Sequence, residues 1–158
     1  MTMLRRAFLL VLAFALSSFA QSKVEITVKN GTDRELRTRE QLQRLLNTYD
    51  LSKWTYTNKI EIDEKSIPHS HPVLTLHTRH LKDDDLLLST YIHEQFHWLL
   101  VINNKERDEA IKEARAMFPK VPLTSPEGAR DEDSTYLHLL VCYLEYHGIR
   151  NLLGELRA

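Results

Sequence analysis

The chain of 158 residues holds a single cysteine, Cys142, so no disulfide can form within it. Its stability must come from packing, and from a metal if one is bound. Glycine is scarce, at 4 residues, and no repeat or low-complexity tract is visible, which argues against linkers and repeat arrays. A basic excess is missing too. Against 22 Asp and Glu stand 21 Lys and Arg, which excludes the charge balance by which proteins hold nucleic-acid phosphates.

The N-terminal apolar stretch is also too short for the roughly 20 residues of a bilayer-spanning helix. It covers residues 7–16, follows Arg5 and Arg6, and runs into Ser17-Ser18-Phe19-Ala20. That is the layout of a secretory signal peptide, with small residues, Ser18 and Ala20, before a cut after Ala20. The expected division is a signal peptide over 1–20 and one domain over 21–158, secreted or periplasmic, without stable membrane insertion after cleavage. An uncleaved anchor carrying the same exported domain is the alternative. Cleavage takes Lys plus Arg from 21 to 19 against 22 acids, a net charge of about −3. What remains suits one hydrophobic core.

Alternation of Val24, Ile26 and Val28 with polar neighbours predicts a half-buried strand ending at the turn Asn30-Gly31. Thr38-Arg39-Glu40-Gln41 has the form of a capping box, followed by Leu42, Leu45, Leu46 and Tyr49 on one helical face. Residues 59–63 and 72–78 read as further strands. Asp83, Asp84 and Asp85 suit a helix N-terminus, and residues 86–102, apolar nearly all round, predict a buried central helix. A second helix is expected over 105–118 with Ala110, Ile111, Ala114, Met117 and Phe118 inward. A loop over 120–133 and a last helix over 134–147, stopped by Gly148 and followed by a short helical tail, complete the chain.

The chemistry sits in the central helix. His93 and His97, four residues apart, project from one side about a turn apart, so their nitrogens can meet one zinc ion. Glu94 beside the first ligand is placed to take a proton from a metal-bound water and pass it to a leaving amine. Around this trio Tyr91, Ile92, Phe96, Trp98 and Leu99 are apolar, and buried polar groups need a partner that a metal supplies.

His93-Glu94-Gln95-Phe96-His97 on a helix, preceded by a strand and followed by a helix offering a carboxylate, resembles the zincin metallopeptidases and among them the glutamate-liganded gluzincins. The resemblance spans roughly residues 71 to 147, and the five-residue motif is its strong element. It implies an α+β fold: a small domain with a short mixed or antiparallel sheet, an edge strand that aligns extended peptide, a buried central helix and a later helix carrying the third ligand. It also implies that Glu94 is catalytic. The metzincin pattern is disfavoured, because Leu100 and Asn103 stand where it needs a glycine and a histidine. On the last helix His138, Val141, Cys142 and Glu145 share a face, and only His138 and Glu145 are strong zinc donors. Glu145 is the expected third ligand, with His138 beside the open position as a donor to the developing oxyanion; the reverse is the alternative.

Other residues have blander readings. His69, His71, His77 and His80 invite a second metal site but are expected to be exposed or substrate-facing. Cys142 is expected to be a small buried core residue. Tyr91, Tyr136, Tyr143 and Tyr146 are expected mostly to pack. The reading that follows is a secreted zinc metallopeptidase acting on peptide or protein, with Zn2+ held by His93, His97 and Glu145, and nucleic acid excluded as a partner. A zinc hydrolase of another amide, such as a cell-wall peptide linkage, and a non-catalytic exported metal-binding domain are the alternatives.

Overall fold

The computed structural model describes residues 23–124 and 128–157; the expected signal peptide lies outside the described residues. Along the chain come β1 (Glu25–Val28), α1 (Asp33–Thr48), a 3-10 turn (Ser52–Trp54), β2 (Lys59–Ile62), β3 (Leu74–Leu76), a second 3-10 turn (Thr78–His80), α2 (Asp84–Ile102), α3 (Asn104–Met117) and α4 (Glu132–Leu153). The fold is α+β. Among the described residues no helix is long and apolar enough to cross a membrane.

The sheet runs β1-β2-β3 with every pairing parallel, Ile26 opposite Ile60 and Ile60 opposite Leu74. This corrects the expected mixed or antiparallel sheet. Alternating apolar residues identify a strand but say nothing about the direction of its partner, and α1 is a crossover long enough to return the chain in the same direction. Residues 63–73 then loop round without a helix. On the way His69 pairs antiparallel with Thr75 on the outer edge of β3, through His69 N–H to Thr75 O at 3.1 Å and Thr75 N–H to His69 O at 2.8 Å.

Helix α1 starts earlier than Thr38. Thr32 is its cap: Oγ1 accepts the Glu35 N–H at 3.3 Å, and the Glu35 carboxylate accepts the Thr32 N–H at 3.4 Å. Thr38 sits a turn inside, its hydroxyl donating to the Arg34 carbonyl at 2.9 Å. Two capping boxes compete on paper, and tertiary contacts choose the first. Glu35 also accepts from Asn30 N at 2.8 Å, Asn30 Nδ2 at 2.7 Å and Glu64 N at 3.1 Å, which ties the β1 turn, α1 and the loop after β2 to one carboxylate.

The core lies between the sheet, α1 and α2: Leu42 and Leu45, Ile60 and Ile62, Leu74 and Leu76, and Leu87, Leu88, Tyr91 and Ile92 are solvent-excluded. The three aspartates at the start of α2 divide their work. Asp83 caps the helix by accepting from Leu86 N at 3.1 Å, Asp84 receives both terminal nitrogens of Arg44 and the Gln41 amide, and Asp85 pairs with Arg157.

Two helical expectations change. Met117 and Phe118 are exposed, so the inward face of α3 is narrower than its periodicity suggests, with Ala114 its one fully buried residue. Gly148 does not stop α4, which continues to Leu153 and ends at Gly154, whose φ of 85° suits a residue without Cβ. Gly148 instead lets α4 approach α2 closely: a Cβ there would lie 3.3 Å from Phe96 and Trp54 atoms and 3.4 Å from Ile92.

Candidate metal centre

Helix α2 packs on α4 more extensively than on any other element, and this pairing assembles the candidate site. The ring centroids of His93 and His97 are 5.1 Å apart, those of His97 and His138 5.0 Å, and those of His93 and His138 5.9 Å. One nitrogen from each of the three imidazoles lies within 4.8 Å of the others. A second group, His93, Cys142 and Glu145, meets the same limit. The expected set of His93, His97 and Glu145 does not converge in this way.

Hydrogen bonds explain why. The Glu145 carboxylate is turned to His93 Nδ1, 2.7 Å away, and its other oxygen accepts from the Ser89 hydroxyl. An acceptor at Nδ1 requires the proton to sit there, which leaves the His93 Nε2 lone pair free. His138 is arranged alike: its Nδ1 donates to the Ser134 carbonyl one turn back at 2.8 Å, so its Nε2 is the free acceptor. The residues fit a metal on donor chemistry. Three imidazole nitrogens that approach one another, with a carboxylate behind one of the rings, are donors that could hold a metal ion.

Electrostatics set His97 and His93 apart. Burial, together with the neighbouring His93, His138 and His71, lowers the His97 pKa to about 3, so this ring stays neutral at pH 7. For His93 burial also disfavours the charge, but the hydrogen bond and the charge of Glu145, helped by Glu94, outweigh it and raise the pKa. Glu94 is raised chiefly by burial, with Glu145 adding, while His93, His69 and Arg79 oppose. The residue is 6% exposed, but no buried side-chain oxygen or nitrogen among the described residues lacks a partner, so its carboxylate, which takes no protein hydrogen bond there, reaches solvent.

Other residues fall into place separately. Cys142 is exposed, which corrects the expectation of a buried core residue; α4 turns it toward solvent one turn before Glu145. His77 caps the 3-10 turn by accepting from Arg79 N at 2.8 Å, His80 Nε2 accepts from Arg79 Nε at 3.1 Å, and His69 Nδ1 donates to the Ile67 carbonyl at 2.9 Å. Those three histidines are committed singly. Tyr91 bonds Thr55 within the core and Tyr136 donates to the Phe118 carbonyl under the Arg115 guanidinium, so both are structural. Tyr143 and Tyr146 lie exposed against His147.

No family model matches the chain, and no curated protein or solved structure does either. The case for the site is therefore the geometry itself.

Two supports escaped the sequence reading. Gln95, inside the motif, is solvent-excluded; its Oε1 accepts from Tyr56 N at 2.7 Å and Thr57 N at 2.9 Å while its Nε2 donates to Thr57 O at 2.9 Å, fixing α2 to the segment before β2. A buried amide in an apolar helix was the available signal. Ser89, one turn before His93, carries no such signal, because its partner Glu145 is 56 residues away. The loop into α4 borders His138 through Val121, Pro122, Gly128 and Ala129; at Gly128 a Cβ would meet the Pro122 carbonyl at 2.3 Å, so only glycine fits.

Proposed function

We propose that the chain is an exported zinc-dependent hydrolase of peptide bonds in which His93, His97 and His138 hold the metal, Glu94 is the base and Glu145 orients His93. The zincin reading of residues 93–97 is kept, while the gluzincin reading of Glu145 gives way to a third histidine. The observation that carries this is the cluster: one nitrogen from each of His93, His97 and His138 lies within 4.8 Å of the others, with the Glu94 carboxylate next to His93 in α2 and free of protein hydrogen bonds among the described residues. A carboxylate with no protein partner stays available to accept a proton, which a structural carboxylate held by several donors is not.

Zinc, when bound, supplies a water of lowered pKa and a Lewis acid for the scissile carbonyl. Glu94 accepts a proton on its carboxylate and returns it to the departing nitrogen, and burial brings its pKa closer to neutrality for both transfers. Glu145 holds the His93 proton at Nδ1, which leaves Nε2 as the nitrogen that would ligate a metal. Ser89 and Ser134 steady the two α4 partners in turn.

A non-catalytic metal-binding domain would be favoured by four converging protein donors. Among the described residues each converging group has three. Hydrolysis of an amide other than an extended peptide uses the same residues, and the occupied edge of β3 supports considering it.

The test is zinc content and peptide hydrolysis of the purified protein beside Glu94→Gln. The variant is expected to keep its zinc and lose turnover by at least about a hundredfold. Equal turnover in the two proteins would remove Glu94 from the reaction, and absence of zinc from both would remove the metal.

A further inference from the structure

β1 is an outer strand of the sheet, on the side away from β3, and among the described residues no strand lies beside its far edge. The Glu25 N–H reaches the Asn58 carbonyl at 2.7 Å and the Lys29 N–H the Ile62 carbonyl at 2.9 Å, so the odd-numbered residues of β1 turn their backbone groups to β2. Peptide groups alternate along a strand, and Ile26 and Val28 therefore aim N–H and C=O outward. Among the described residues nothing meets them. An open groove of about 560 Å³ runs along this edge, between Ile26 and the side of α1 that carries Arg39, Glu40 and Gln43.

Unpaired edges recruit strands, and charges of one sign along an edge keep a second copy away. Here the signs differ. Glu25 and Lys29 stand on either side of Thr27 on the exposed face of β1, while Ile26 and Val28 are half-buried on the core face. A second β1 running antiparallel about a twofold axis at Thr27 sets each Glu25 opposite the other copy's Lys29 and each Ile26 opposite the other copy's Val28. Ile26 and Val28 are also the residues whose backbone groups point outward, so hydrogen bonding and charge select the same alignment. Neighbouring alignments do worse: an axis at Ile26 opposes Lys23 to Lys29, an axis at Glu25 opposes two carboxylates, and an axis at Val28 leaves Glu25 facing Gly31. Lys29 holds Glu61 at 3.2 Å within the chain, yet 55% of its side chain is exposed, which leaves room for a second carboxylate.

We propose that the protein forms a homodimer in which β1 pairs antiparallel with β1 of a second copy about Thr27, joining two sheets into one. Ile26 and Val28 extend the apolar face across the junction, and the ion pairs between Glu25 and Lys29 fix the register on the other face. The candidate metal centre is built from α2 and α4, so each copy keeps its own, and the dimer stands or falls independently of the metal.

The experiment is sedimentation equilibrium of the purified protein from about 1 µM to about 1 mM, a range suited to a short ladder and a small interface. The wild type is expected to pass from monomer to dimer. Glu25→Lys places like charges opposite each other at both ends of the ladder, and Lys29→Glu does so with the other sign. Each is expected to weaken self-association at least about tenfold, with circular dichroism unchanged because both positions are exposed. An equimolar mixture of the two variants is expected to recover the wild-type affinity to within about threefold, since opposite charges meet again. Directly opposed residues of a non-hydrogen-bonded pair stand about 4.5 Å apart at Cα, within reach of a disulfide. Thr27→Cys in a Cys142→Ser background is therefore expected to crosslink on mild oxidation, and Glu25→Cys in the same background is not. A wild type that stays monomeric throughout the range overturns the proposal, whatever else the edge binds. A dimer that both charge variants leave intact, a mixture that fails to recover, or a crosslink at position 25 in place of 27 overturns it as well.

Discussion

Glu35 and Glu94 are both largely buried acidic residues, and the protein drives their acidities in opposite directions. Burial disfavours the charge on each. At Glu35, which lies just beneath the surface, hydrogen bonds from Asn30, Glu64 and Thr32 overcome that penalty and lower the pKa to about 2. At Glu94 no such donors are present and the pKa rises. Burial thus fixes the size of the problem, and local donors decide whether a carboxylate becomes a structural tie or a reactive group.

The strongest way to break this comparison is to exchange charge for amide at both positions. Glu94→Gln is expected to lower turnover by at least about a hundredfold while unfolding in urea stays within about 0.5 kcal/mol of the wild type. Unchanged turnover, measured with zinc bound, would make Glu94 another structural carboxylate. At the metal, His138→Ala is expected to abolish zinc retention in a chelator competition, whereas Glu145→Gln weakens it by roughly ten- to a hundredfold as the orientation of His93 loosens. The opposite order would return the ligand role to Glu145.

Glu35→Gln should leave zinc affinity alone and destabilise the fold by about 2 kcal/mol, since an amide group would face donors that now have an acceptor. A thermal midpoint within a degree of the wild type would show that the Glu35 cluster ties nothing together. The smallest effect lies in the acid range. With its folded pKa below the unfolded 4.5, Glu35 stabilises fully above about 4.5, and the contribution is lost as pH falls toward about 2. Stability measured between pH 5 and 2 should therefore fall less steeply in Glu35→Gln than in the wild type.

Comparison of particular elements shows how far local pattern reaches. Helix α2 was legible over residues 86–102, two residues short of its true start at Asp84, because the acidic run before it, its apolar length and the asparagines that follow are all local. The box at Thr32 was as readable as the one at Thr38, and nothing nearby in sequence reveals that Asn30 and Glu64 converge on Glu35. Gly148 looked like a helix stop because glycine usually is one. Only the approach of Phe96 and Trp54 reveals its use. Met117 and Phe118 fit an amphipathic pattern, but α3 lies at the periphery, with too little surface opposite them to cover both.

The candidate site divides along the same line. His93, Glu94 and His97 are set by a spacing of one helical turn, so the order of residues alone brings them to one side of α2. Sequence could likewise nominate His138 and Glu145, since both lie on one face of α4. Which of them stands level with the two imidazoles depends on how far α4 slides along α2, and the close approach at Gly148 takes part in setting that offset. A helix's own period is short-range and written in its residues. The register between two helices arises from packing across dozens of intervening residues, and that was decided by the tertiary structure.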